Sequence, residues 1–412
     1  MVSLARRCRA EVRRVTTVVP MPVMAGPQGQ QHPMRVAIVT SIHPDFDARI
    51  WKHARLLADS GHEVHLVCPW RVEAGEVIDG VTFHPFAKVT SRAARPVLIA
   101  ARLLPRLFPL LRRVDVVHFH DIDLLPWMTL LALGKPVIYD VHENYAEEML
   151  VRDWIPMPLR RPLSFAVRWS QWAMSMIVRN VVLVAPSQQK DFSSPRLRST
   201  YIYNFASRSL VDGAADDYRT RPDTVVFIGS QHINNGSLLL IDIAARLHKQ
   251  RPDIRIVAVD RFFNTAFRQR FVDEVERQGL RDVLTLTPNV KPHELMTILN
   301  RATVGLSPNL RVAQQINGIH TKVFEYMAAG LPMVISDLPH QVEVMQESKA
   351  GILAAPERPQ DFVDAIVRLA DDREAALRMG QAGREAFFSH YCYESQRDKM
   401  LDFYRAVLGS AA

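Results

Sequence analysis

Cysteine is scarce: the 412-residue chain has three, Cys8, Cys68 and Cys392, too far apart for any metal-ligand spacing, which argues against a disulfide framework or a cysteine zinc site and for a reducing compartment. Long apolar runs are also missing. A membrane helix needs ~20 apolar residues, but Arg102 and Arg106 interrupt one candidate and Arg168 and Arg179 the other, Ser164 to Val184. Residues 1–33 carry Arg6, Arg7, Arg9, Arg13 and Arg14 without an apolar core, so they do not read as a secretory signal. They are expected to be a disordered tail or an upstream start-site artefact, because Met34 directly precedes the first strand. The first βα turn lacks Gly-x-Gly-x-x-Gly, so a dinucleotide cofactor is unsupported and no cofactor is expected. Basic residues do not interleave with aromatics along a recognisable module, so nucleic acid is not an expected partner.

What is present is a chain 48% hydrophobic with a net charge of +8, too long for one ordinary core and suited to an anionic partner, either a lipid surface or a phosphorylated substrate. Its pattern alternates strand and helix. Arg35 to Ser41 is an apolar strand, Ala48 to Ser60 a helix closed by Gly61, and Glu63 to Cys68 the next strand. Further strands are expected at Val81 to Phe86, Val114 to Phe119, Pro136 to Asp140 and Val181 to Ala185. Asn204 to Asp223 is polar and aperiodic, a linker. A second series follows, with strands at Thr224 to Ile228, Ile254 to Val259, Val283 to Thr287, Thr303 to Ser307, Met333 to Ile335 and Gly351 to Leu353. The fold class is therefore α/β, two facing doubly wound Rossmann-like domains with an interdomain cleft at their carboxyl strand edges. The expected division is 34–205, 206–388 and a C-terminal helical stretch, 389–412, returning toward the first domain.

Three polar clusters fall at strand ends of the first domain: His43 to Asp47, His118 to Asp121, and Asp140 to Tyr145. A zinc site from His118, His120 and His142 is disfavoured, because His118 and His120 alternate along one strand and no fourth ligand stands out. Arg95, Arg102, Arg106 and Arg113 recur at spacings of seven, four and seven in an otherwise apolar segment. That pattern suits peripheral contact with an anionic membrane, and an ordinary covering helix is the alternative. In the second domain, Asn317 to Pro332 holds a helix start at Thr321, where Thr321 is expected to cap, and a stop at Gly330 and Pro332. Lys322 and Glu325 lie three apart, on a face different from that of Val323, Phe324, Met327 and Ala328. Such a helix start, with a cation beside it, suits a phosphorylated ligand.

These residues resemble the retaining GT-B glycosyltransferases of family GT4 (glycosyltransferase group 1), in a divergent subgroup of bacterial surface-polysaccharide type. The resemblance rests on Asp47-Ala-Arg-Ile-Trp51 with Gly61-His-Glu-Val64, His118-Phe-His-Asp121, Tyr139-Asp-Val-His-Glu143, and Thr321-Lys-Val-Phe-Glu-Tyr-Met-Ala-Ala-Gly-Leu-Pro332 with Asp337. It implies metal-independent transfer of a sugar from a nucleotide sugar to a glycan or lipid-linked acceptor in polysaccharide biosynthesis. The expected site is cytoplasmic, either free or peripheral on the inner face of the plasma membrane. Glu325 then takes the nucleotide ribose hydroxyls, with Thr321, Lys322, Gly229, Ser230 and Asn317 as the other donor-binding residues. His142, Lys322 and Asp121 are the candidate catalytic residues, and Arg311 is a second candidate cation. Two departures stand out: the family's Gly-Arg and Lys-Gly pair is replaced by Gly229-Ser-Gln-His232 and Asn235-Gly236, and its first glutamate by Asn317. A catalytically silent scaffold that kept the fold and a sugar-nucleotide epimerase are the rival readings.

Overall fold

The computed structural model describes residues 32–89, 95–151, 155–211, 217–290 and 294–409. The tail read over 1–33 therefore lies almost wholly outside the described residues, as do residues 212–216 of the linker and the side chain of Arg95.

Two sheets organise the chain. The first contains β1 (Arg35–Val39), β2 (Glu63–Cys68), β3 (Val77–Ile78), β4 (Val81–Pro85), β5 (Val116–Phe119), β6 (Val137–Val141), β7 (Asn180–Leu183) and β8 (Arg198–Tyr201), in the spatial order β3-β4-β2-β1-β5-β6-β7-β8. The second contains β9 (Thr224–Phe227), β10 (Arg255–Asp260), β11 (Leu284–Pro288), β12 (Val304–Ser307), β13 (Met333–Ser336) and β14 (Gly351–Ala354), in the order β11-β10-β9-β12-β13-β14. The described pairings are parallel except for the β3–β4 hairpin. Continuous apolar runs explain this. Every residue of β5, β6, β7, β12 and β13 is buried, which requires helices on both faces rather than a half-wetted sheet.

The helices of the first half are α1 (Ala48–Asp59), α2 (Arg95–Leu107), α3 (Leu125–Leu131), α4 (Tyr145–Val151) and α5 (Met157–Val178). Those of the second are α6 (Ser237–Gln250), α7 (Thr265–Arg277), α8 (Leu295–Leu299), α9 (Ala313–Ile316), α10 (Thr321–Ala328), α11 (Pro339–Ser348), α12 (Pro359–Asp371), α13 (Arg373–Ala386) and α14 (Arg397–Gly409). The C-terminal stretch is not one helix. α13 ends in a π-turn at Phe387–Tyr391, and the chain then crosses beside residues 203–206, where Tyr393 N donates to Ala206 O at 2.8 Å and Gln396 bonds both backbone groups of Tyr203. Tyr393, Met400, Phe403, Tyr404 and Val407 pack with β1, β2 and α1 in the core beneath the first sheet.

Each sheet has one point where strand order reverses, β1/β5 in the first and β9/β12 in the second. Crevices open beyond the carboxyl ends of such strands, so the loops after β1, β5, β9 and β12 frame the site.

Candidate functional site

The loop after β1 turns at Asp47, whose carboxylate accepts from the amides of Arg49 and Ile50 at 3.0 and 3.4 Å and so caps α1. One residue into that helix, Arg49 points inward and meets Asp140, at the end of β6, through two donors: Nη2 to Oδ1 at 2.8 Å and Nε to Oδ2 at 3.2 Å. Both side chains are buried. Asp140 Oδ2 also lies 3.5 Å from His118 Nε2 and 3.3 Å from His120 Nδ1. His118 and His120 are two apart and share a strand face, with ring centroids 4.9 Å apart, so alternation does not separate them as the sequence reading held. His120 Nδ1 in turn lies 2.6 Å from His142 Nε2, and Tyr404 OH joins His53 Nε2 at 3.0 Å to His118 Nδ1 at 2.6 Å.

Burial holds three of them neutral, pushing His53 and His142 well below the usual histidine range and His118 down to about 4. His43 goes the other way. Although burial opposes its charge, Asp121 at 3.1 Å and Asp47 at 3.3 Å raise it to about 10. Two pH limbs follow. As pH falls from about 6.5 toward 4 the unfolded chain protonates imidazoles that the folded chain keeps neutral, so stability drops. As pH rises from about 6.5 toward 10, the stabilisation from charged His43 is withdrawn. The urea midpoint is therefore expected to fall between pH 6.5 and 4.5; a flat midpoint across that interval would show His53, His118 and His142 to be charged in the folded chain.

His53, His118, His120 and Asp140 offer ligand atoms within 4.8 Å of one another, the described residues nearest to a metal-ligand set here. The fit is poor, because the guanidinium of Arg49 already holds both Asp140 oxygens and a divalent ion would sit beside that charge. Within the zinc trio of the sequence reading, His142 Nε2 is directed at His120 rather than at a shared centre. Asp121 is fully buried, accepting from Thr40 Oγ1 at 2.9 Å and Ser41 N at 2.6 Å.

On the second sheet, β9 runs into Gly229, whose φ of +97° is costly for any side-chain-bearing residue. A ladder of amides knits the surrounding loops: Asn235 Nδ2 donates to Ser230 O and Oγ, Gln315 Nε2 to Asn235 Oδ1, and Asn309 Nδ2 to Gln315 Oε1. α10 begins at Thr321, but His320 occupies the cap position and no side chain caps it, so Thr321 is the first helical residue and not the cap. Lys322 is 8% exposed, its Nζ 4.4 Å from the centroid of the Phe227 ring and without a hydrogen-bond partner. Burial pushes Lys322 down to about 7, against the opposing charge of Glu325. Burial pushes the Glu325 carboxyl up, while Lys52, Lys322 and Arg261 pull it back. The Lys322 amine, protonated below about 7, is thus a buried group without a hydrogen-bond partner beside Glu325.

Both halves line one cleft of about 1320 Å³. Of the residues singled out from sequence, His142, Gly229, Ser230, Asn317, Thr321, Lys322 and Glu325 face it. Asp121 does not; it lies beneath, paired with His43. Arg311 is committed to Asp337 at 2.5 Å and Glu357 at 2.9 Å and is not among the cleft residues. Arg261, at the end of β10, lines the cleft and was missed, although its strand-end position is the signal that exposed the other clusters. Ser187 Oγ, after β7, donates to Asn317 O at 3.0 Å and ties the two rims together.

Two family models match the chain: Glycosyltransferase Family 4 over residues 47–207 and Glycosyl transferases group 1 over 216–386. A GDP-mannose:cellobiosyl-diphosphopolyprenol alpha-mannosyltransferase of Xanthomonas campestris is 22% identical over 324 residues, 75% of this chain and 78% of that protein. A GDP-mannose-dependent alpha-(1-6)-phosphatidylinositol monomannoside mannosyltransferase of Mycobacterium tuberculosis is 28% identical over 129 residues, 31% of this chain and 34% of that one. Among solved structures, sucrose-phosphate synthase of Thermosynechococcus elongatus superposes with a TM-score of 0.68 at 16% identity, covering 91% of this chain and 100% of its own. Anabaena Alr3699/HepE in complex with UDP and glucose does so with a TM-score of 0.68 at 11% identity, covering 90% and 100%. With both halves matched and the paired sheets in place, the chain belongs to the family 4, group 1 glycosyltransferases and has their GT-B fold.

Proposed function

We propose that this glycosyltransferase moves a sugar from a nucleotide-diphosphate donor to a lipid-linked glycan acceptor, with retained anomeric configuration and without a metal, in assembly of a cell-surface polysaccharide. The observation that carries the donor reading is Lys322: a buried, unpartnered ammonium at the first turn of α10, facing the cleft three residues before Glu325. As the bond to the leaving diphosphate breaks, negative charge grows on it. A cation and the positive end of a helix, worth about half a charge, stabilise that change without further reorganisation. Glu325 accepts from the ribose hydroxyls, and His142, oriented by His120, lies toward the transferred sugar and the acceptor. The UDP and glucose in the HepE structure and the diphosphopolyprenol in the Xanthomonas relative's name support this reading.

A thermal-shift panel of uridine-, guanosine- and adenosine-diphosphate sugars tests it, since a ligand that binds only the folded state raises the melting point. One of the three is expected to do so, and Glu325→Ala is expected to abolish the shift. A panel without response returns the silent-scaffold reading, and conversion of the donor to a new nucleotide sugar without acceptor returns the epimerase.

The acceptor side rests on α5. No described helix is long and apolar enough to cross a membrane. Yet α5 leaves Phe165, Trp169 and Trp172 exposed along one face, contains Arg160, Arg161 and Arg168 but no acidic residue, and reaches the cleft rim at Arg168. That suits an anionic interface. The Arg102 and Arg106 side chains turn back to the carbonyls of Ala87, Lys88 and Pro85, as Arg160 does to those of Ile155 and Leu150, so it is the exposed aromatic face that favours α5 over the helix expected to carry the membrane contact. The protein is expected to float with vesicles of phosphatidylglycerol and phosphatidylcholine, and Phe165→Ser/Trp169→Ser to release it. Equal flotation of the variant would remove α5 from the interface.

A further inference from the structure

The family's arginine and lysine after the first strand of the second domain are Ser230 and Asn235 here, which leaves the position of the diphosphate clamp without its usual charges. The structure places another cation at that spot. The loop after β9 is stitched to the end of β10: Gln231 N donates to Arg261 O at 2.9 Å, Gln231 pairs with Phe262 as a parallel bridge, and Gln231 Nε2 donates to Val259 O at 3.0 Å. The Arg261 backbone is therefore held beside the Ser230–Gln231 loop, and Arg261 lines the cleft together with Gly229, Ser230, Lys322 and Glu325. Its charge acts on the Glu325 carboxyl. The one nearby acid on its own strand, Asp260, is taken by Arg268 through contacts of 2.6 to 3.1 Å. The Arg261 guanidinium packs over the Phe263 ring at 5.6 Å and has no ion-pair partner among the described residues.

We infer that Arg261 is the clamp cation of this chain, binding the donor's diphosphate from the end of β10 in concert with Lys322. A planar guanidinium offers two parallel donors to phosphate oxygens, which a serine at position 230 cannot. Its exposure in the free protein fits this role, since the clamp closes on a ligand that arrives from solvent, while stacking on Phe263 limits the rotamer freedom lost on binding.

This inference rests on the nucleotide-diphosphate donor proposed above, and the experiment separates the two. Calorimetry on the full chain with UDP, GDP and ADP, each beside its monophosphate, is run for the wild type and for Arg261→Ala and Arg261→Lys. The expected result is one diphosphate that binds the wild type more tightly than its monophosphate. Arg261→Ala should then weaken that diphosphate by ~10–100-fold and its monophosphate much less, with Arg261→Lys falling between. Arg261 is exposed, so the melting point of ligand-free Arg261→Ala is expected to match the wild type and report intact folding. Equal loss for diphosphate and monophosphate would assign Arg261 to the base or ribose and overturn the clamp; unchanged affinities would make it a solvated arginine and do the same. Failure of all three diphosphates to bind the wild type overturns the donor reading and this inference with it.

Discussion

Lys322→Ala is expected to lower kcat by about 10²–10³ while changing the affinity for the nucleotide-sugar donor far less. The argument starts from stability. A buried amine without a hydrogen bond is a cost to the folded state, visible in how far burial pushes Lys322 below the ordinary lysine range, to about 7. The Phe227 ring lies 4.4 Å from its Nζ, so the position is built to keep the amine in place. Lys322→Met, which keeps the apolar stem and removes the charge, is therefore expected to melt at or above the wild-type temperature while losing turnover, the opposite pairing to that of a residue kept for folding. The pH profile gives a second reading. The group must be protonated to oppose the leaving charge, so kcat/KM is expected to fall as pH rises through about 7 in the free enzyme, and that inflection to vanish in Lys322→Ala. A variant that keeps wild-type kcat and loses only affinity would assign Lys322 to ground-state binding instead.

How much of this was readable in the chain depends on the kind of signal. Apolar or alternating segments mark β1, β2 and the six strands of the second sheet close to their bounds, even where burial is only partial, as in β11 and β14. β3 has two residues, and β8 is the half-buried Arg198–Tyr201, so neither has a periodic or apolar signature. Strand-end polar clusters mark the edge where ligands bind, but not which members face the cleft. Asp121 and His142 look alike in sequence, and only the packing of the His43 loop over Asp121 separates a covered carboxylate from a cleft-lining imidazole. Arg261 shows the complementary failure. A family pattern directs attention to the loop after β9, and the hydrogen bonds that bring β10's end beside that loop are long-range. α5 has Pro158 in its first turn and carries Pro162 inside, and it still runs 22 residues, because the rest of its length supplies the hydrogen bonds and the packing against α3 and α4.

Arg49→Ala is expected to cost about 3–5 kcal/mol of stability, the largest effect of any single substitution in the first half of the chain. Arg49 and Asp140 are both buried, and removing the guanidinium leaves a carboxylate that burial penalises, without the cation that balanced it. Arg49 Nη1 also donates to Ile202 O at 2.9 Å, so the chain entering the crossover between the two halves is left without that contact. The expected fall in melting temperature is on the order of 10 °C. A double-mutant cycle with Asp140→Asn isolates the charge. Each single variant leaves one buried group uncompensated, whereas the double variant leaves neither, so the double is expected to be more stable than the sum of the singles by on the order of 1–3 kcal/mol. Additive losses would mean that Arg49 acts through packing and its bond to Ile202 alone. The consequence for function runs through the histidines: Asp140 lies against His118 and His120, His120 meets His142, and His142 is the member of that chain that reaches the cleft. Arg49→Ala assayed well below its melting temperature is therefore expected to lower turnover as well, and full activity there would disconnect the buried ion pair from the placement of His142.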